Sequence, residues 1–148
     1  MAYLKIQKKI SVNTYSCEVL FIVSDNIEKV EQYIHAKYDG DGPKDDGPAE
    51  GYTITIGPHL YVMVLDYKFL SNNLIGHELY HVTHRIAKDR DIDDEETMAW
   101  LNGYLHEAFY DFMNSAKFVA FSERILKKME DFIEKKERQQ PKEEIKYE

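Results

Sequence analysis

A chain of 148 residues with 43% apolar side chains is long enough for one domain with its own core, and a lone cysteine, Cys17, excludes an internal disulfide. A formal charge of −8, from 19 basic and 27 acidic residues, argues against nucleic-acid binding, which needs clustered Lys and Arg. Apolar runs such as Val19–Val23 and Tyr61–Leu65 are far too short to span a bilayer, so neither a signal peptide nor a membrane segment is expected, and a cytoplasmic location is.

Along the chain, residues 3–12 and 16–23 are rich in Ile, Val, Leu, Phe and Tyr, with Asn13-Thr14 between them, and predict a hairpin. Cys17 falls in the second strand as a buried thiol. Asp25 three residues before Glu28 predicts a capping box for a helix through about Tyr38, with His35 on its surface. Asp39 to Glu50 is a Gly- and Pro-rich surface loop. Its acidic residues do not follow the calcium-loop pattern, because Pro43 stands at a ligand position and Lys44 at the glycine position. Strands at Tyr52–Ile56 and His59–Leu65 flank Gly57-Pro58. A helix capped by Ser71 or Asn72 follows, with Leu74, Ile75, Leu79, Val82 and Ile86 at helical spacing. Beyond the polar stretch from Lys88 to Asp94, a second helix runs from about Glu95 to Phe112. A third runs from about Ser115 to Gln139, with Phe118, Phe121, Ile125, Met129 and Phe132 on one stripe. Pro141 ends it, leaving one domain over residues 1–140 and a frayed tail over 141–148.

The chemistry is concentrated in His77-Glu78-Leu79-Tyr80-His81, the pattern H-E-x-x-H. For a chain with six histidines, roughly 0.02 accidental matches are expected. On a helix, residues four apart lie roughly 40° from eclipse and about 6 Å apart along the axis, so two imidazoles can share one metal ion. Glu78, one step round, stands where a general base takes a proton from an activated water.

A catalytic zinc ordinarily takes three protein ligands. The extended form H-E-x-x-H-x-x-G-x-x-H is absent, since Thr83 and Ala87 occupy its last two marked positions. His84 lies about a turn beyond His81, too far along the helix to join the pair. The candidate is Glu96, which shares a helix face with Ala99 and Gly103, small residues that allow close approach of two helices. Glu95, Asp93, Asp94 and His106 are alternatives, and Asp93-x-x-Glu96 also fits a capping box. Tyr80, Tyr104, His106 and Tyr110 are candidate donors to an oxyanion, with His59 of similar standing.

His77-Glu-Leu-Tyr-His81 followed by Glu96-x-x-Ala99 resembles the zincin metallopeptidases of the gluzincin type. Together with Trp100-Leu-Asn-Gly-Tyr-Leu105, it is similar to the small zincin-like proteins of bacteriophages and prophages. The resemblance covers about residues 52 to 112. It implies an α+β fold in which a small, mostly antiparallel sheet packs on the motif helix and a glutamate-bearing helix, here followed by a long C-terminal helix. It further implies Zn2+ held by His77, His81 and Glu96, with Glu78 as general base and a peptide or protein as substrate. The His81-to-Glu96 spacing is shorter than in thermolysin-like enzymes, and Trp100 stands in place of their supporting Asp. The competing expectation is a zincin-like binding or assembly module that keeps the metal site and hydrolyses little.

Overall fold

A computed structural model describes residues 3–38 and 50–140, an α+β arrangement in three layers. The expected loop from Asp39 to Glu50, apart from Glu50 itself, and the expected tail over 141–148 lie outside the described residues.

Four strands form one mixed sheet in the order β1-β2-β4-β3. β1 (Lys5–Val12) and β2 (Cys17–Ser24) make the expected antiparallel hairpin around a 3-10 turn at Asn13–Tyr15. β3 (Gly51–Thr55) and β4 (Leu60–Asp66) pair antiparallel as well, whereas β2 and β4 run parallel at the centre. The parallel pair follows from α1 (Ile27–Tyr38), which carries the chain across the sheet between β2 and β3.

That crossover has a consequence for composition. β2 and β4 are covered on both faces, which is why they read as unbroken apolar runs rather than alternating ones. Leu20, Ile22, Val62 and Val64 pack with Ile27, Val30 and Ile34 of α1. Val19, Phe21, Val23, Tyr61, Met63 and Leu65 face the other way, toward α2 (Asn72–Asp89), α3 (Glu95–Met113) and α4 (Ala116–Gln139). Burial pushes the Cys17 thiol up from its ordinary pKa, in keeping with a buried structural cysteine.

Two caps sit one residue from their expected places. Asn26, not Asp25, accepts the amide of Lys29 at the start of α1, at 3.1 Å. Asp25 instead accepts the Leu4 amide at 2.8 Å and pairs with Lys128 of α4 at 2.6 Å, so it ties the approach to β1 and the middle of α4 to the β2–α1 corner. Asp94, not Asp93, caps α3 by accepting the Thr97 amide at 2.8 Å. Those hydrogen bonds to Thr97 hold the Asp94 carboxyl below its ordinary pKa. Ser71 caps α2 as expected, through the Leu74 amide.

α2 and α3 are antiparallel neighbours. Tyr110 donates to Asn72 at 2.9 Å, and Thr83 donates to Asn102 at 3.1 Å. Where they come close, the glycine involved is Gly76, whose missing Cβ would lie 3.9 Å from His106 Nε2. Gly103 is exposed, and a Cβ built there would meet nothing within 4 Å, so the expected packing role for Gly103 is not observed. On α4 the apolar stripe is buried at Phe118, Phe121 and Ile125 but exposed at Met129 and Phe132. Among the described residues, no helix is long and apolar enough to cross a membrane.

Candidate metal centre

α2 enters from its Ser71 cap and turns Leu74, Ile75, Leu79, Val82 and Ile86 into the core. The 3.6-residue period then leaves His77 and His81 on the outer surface, with Glu78 directed inward. His77 and His81 are exposed, whereas Glu78 is 5% exposed.

The two imidazoles meet at Nε2, 3.1 Å apart, with their rings at 80° to each other. Which of the two nitrogens donates at that distance depends on the tautomer of each ring. The same spacing suits two ligands of one ion, because Zn–N bonds of about 2.0–2.1 Å in a tetrahedron separate their nitrogens by about 3.3 Å. With Glu78 they form a group whose donor atoms all lie within 4.8 Å of one another, a set able to hold a metal ion. The donor types, two imidazoles and a carboxylate, are those of zinc and neighbouring divalent metals.

Glu78 is anchored from the sheet. Its Oε2 accepts the Thr53 hydroxyl at 3.0 Å, and its Oε1 lies 3.9 Å from His77 Nε2. Thr53 is on β3, the edge strand, and Arg85 on the next turns of α2 donates to Thr55 of the same strand at 3.1 Å. Gly51 opens the strand where a Cβ would come within 2.9 Å of the Val64 carbonyl oxygen and 3.3 Å of Glu78 Cγ. A side chain at Gly51 would therefore push on the carboxylate from one side while the sheet backbone blocked it on the other. Gly51 and Thr53 were not legible as site residues, because the sequence separation of 25 between Thr53 and Glu78 leaves no local pattern.

The remaining candidates are dispersed. Glu96 is exposed on the first turn of α3, beside a hollow it shares with Thr14, Tyr15, Thr97 and Trp100. The structure brings His77, Glu78 and His81 together and does not bring Glu96 into that group. Glu95, Asp93 and Asp94 lie exposed in the same stretch. His106 is nearer the motif in the helix pairing: its Nδ1 lies 2.7 Å from the Asn102 carbonyl oxygen, and its Nε2 faces Gly76. Of the candidate oxyanion donors, Tyr104 donates to the Ser11 carbonyl and Tyr110 to Asn72, both away from the motif. His59 contacts the Ser16 carbonyl at the far end of the sheet. Tyr80 is 57% exposed, with its ring against His81 and His84.

In sequence and in fold, the chain matches no known protein family, no curated protein and no solved structure.

Proposed function

We propose that the chain is a metal-dependent peptidase, with His77 and His81 as metal ligands and Glu78 as general base. The observation that carries this reading is the pair of Nε2 atoms 3.1 Å apart beside a buried carboxylate. A surface helix has no structural need to bury a glutamate, and one buried without purpose would cost free energy. Zn2+ is among the divalent metals that two imidazoles suit, and when bound it would supply Lewis acidity toward a carbonyl and toward water.

Glu78 divides its work between two oxygens. Oε2 is held by Thr53, which fixes the carboxylate's orientation, and Oε1 faces His77 and takes the proton of the attacking water. Oε1 then returns that proton to the leaving amine. β3 adds a reason to favour an extended peptide as substrate: it is an edge strand tied to α2 by Thr53 and Thr55, and its outer edge, which no other strand pairs among the described residues, can take up another strand.

Metal content per chain, measured after purification without added metal, tests the reading directly. About one equivalent in the wild type, lost in His77→Ala and in His81→Ala, supports it. No metal even after reconstitution overturns it. Metal lost in Glu96→Ala or in His106→Ala, measured alongside, would add that residue as a third protein ligand.

One observation favours a second reading, that of an assembly module. Leu126, Met129, Phe132 and Ile133 are each at least 42% exposed from the middle of α4 onward, an apolar surface of the kind that partners cover. A role of that kind survives Glu78→Gln unchanged, whereas peptide hydrolysis does not.

A further inference from the structure

The hollow beside Glu96 is independent of the metal pair, and we infer that it binds a cationic side chain, arginine or lysine, of a peptide partner. Its walls are Thr14, Tyr15, Glu96, Thr97 and Trp100, and its volume is about 340 Å3. That is at the low end for ligand sites, and the hollow is open to solvent, so a side chain can enter it while its own backbone stays outside.

Trp100 supplies the platform. It is 51% exposed, which is unusual for the residue type with the largest apolar surface, and its ring is supported from two directions. Tyr104 stacks on it at 5.5 Å between centroids and 17° between planes, and Tyr15 meets it edge-on at 6.4 Å. The Tyr104 hydroxyl is fixed in turn on the Ser11 carbonyl at 2.9 Å, so the indole is held in place before any ligand arrives. An indole face attracts a guanidinium or ammonium group through its quadrupole, and a carboxylate beside it adds a charge-assisted hydrogen bond. Glu96 is that carboxylate, and among the described residues no ion pair engages it.

The surrounding charge has the right sign. Asp91, Asp93, Asp94 and Glu95 are all exposed in the residues leading to Glu96. Two features oppose a cation here and neither prevails. The α3 N-terminus carries partial positive charge, but Asp94 already caps it through Thr97. The Arg90 guanidinium is nearby, but it is committed to the Tyr15 and Pro58 carbonyls at 2.7 Å each and to the Tyr61 hydroxyl at 2.8 Å. Five exposed carboxylates, counting Glu96, therefore outweigh the two cations of the same stretch, the exposed Lys88 and the engaged Arg90.

Trp100 is the chain's single tryptophan, so its fluorescence reports on the hollow directly. The test is a titration of wild type and Glu96→Gln with N-acetyl-arginine amide, N-acetyl-lysine amide and the neutral N-acetyl-citrulline amide, at low salt. The expected result is a saturable change with both cationic amides, about tenfold weaker in Glu96→Gln, and no saturable change with citrulline. An equal response in Glu96→Gln, or an equal response to citrulline, overturns the inference. A tighter response to tetramethylammonium than to the arginine amide overturns the assignment to a side chain. Metal content of the same Glu96→Gln sample keeps this outcome separate from the metal reading, because the hollow's failure leaves the His77–His81 test untouched.

Discussion

The two antiparallel helices α2 and α3 carry the candidate chemistry in different ways. On α2, three site residues fall within five positions, and the helix itself delivers them to one point: His77 and His81 are a turn apart with Nε2 atoms at 3.1 Å, and Glu78 faces inward beside them. On α3, Glu96 was expected to join them by reaching across from a neighbouring helix, and it lies instead at a separate hollow. The contacts Asn72–Tyr110 and Thr83–Asn102 set the register, which carries the first turn of α3 past the C-terminal half of α2. Geometry within one helix is fixed by its period. Geometry between two helices depends on the turn that joins them, and here that turn is Asp89 to Asp94, with Asp91 in a left-handed conformation at φ 52°.

The sharpest way to break this comparison is to remove the function of α2 without disturbing its shape. Glu78→Gln keeps the length and the Thr53 hydrogen bond but removes the proton acceptor. Peptide hydrolysis should fall by about 10²–10⁴-fold while metal content stays at the wild-type level. Equal loss of both would make Glu78 a ligand rather than a base. For a peptidase assay, an unstructured peptide that contains arginine suits both the outer edge of β3 and the hollow on α3.

The next largest effect is on the support behind Glu78. Gly51→Ala places a methyl group 2.9 Å from the Val64 carbonyl and 2.9 Å from Leu65 Cδ2. The carbonyl is part of the sheet and cannot yield, so unfolding in urea should show a loss of about 1–3 kcal/mol. Hydrolysis should fall further than that loss explains, because Glu78 Cγ is the third contact, at 3.3 Å. Full stability in Gly51→Ala would mean that β3 shifts freely over α2.

How much of this was legible is itself a matter of range. The hairpin, the Gly57-Pro58 connection, the helix starts near Ser71 and Ser115 and the buried face of α2 follow from patterns spanning a few residues, and they are observed within a residue or two. The caps slipped by one because Asp25-Asn26 and Asp93-Asp94 each offer two adjacent capping side chains, and at the first pair tertiary partners decide between them. Lys128 and the Leu4 amide claim Asp25 from 103 and 21 residues away. The parallel β2–β4 pairing was missed although its signal was present, in two apolar runs without alternation. The apolar stripe of α4 was legible, but where its burial stops was not, because amphipathic spacing says which side is apolar and nothing about how far the covering surface extends.

A smaller effect probes the turn that sets the α2–α3 register. Tyr61 lies under it, donating to Asp89 and accepting from Arg90, and burial, with the Asp89 hydrogen bond next, pushes its pKa up to about 12. The unfolded chain loses this proton near the ordinary tyrosine value of about 10. Between those two values the folded state binds more protons than the unfolded state, so stability should fall as pH rises from about 10 to about 12. Urea midpoints measured across that interval should decline less steeply in Tyr61→Phe, which has no phenol to titrate. Parallel curves for the two proteins would show that the network does not depend on the protonated hydroxyl.

The smallest effect sharpens the comparison from the α3 side. Gly103 was expected to let α2 approach closely, and a glycine kept for that purpose cannot be replaced without cost. In the structure it is exposed, and a Cβ there meets nothing within 4 Å. Gly103→Ala should then stabilise the protein by about 0.5–1 kcal/mol, because alanine loses less backbone entropy in a helix than glycine does. Gly76 is the informative control. A Cβ at Gly76 would lie 3.9 Å from His106 Nε2, an ordinary contact, so Gly76→Ala should gain a similar propensity term without a clash. A loss of stability in Gly103→Ala would mean that a second surface packs on the outer face of α3. A gain in both would place the constraint on the helix pair in its hydrogen bonds, Thr83 to Asn102 and Tyr110 to Asn72, rather than in its glycines.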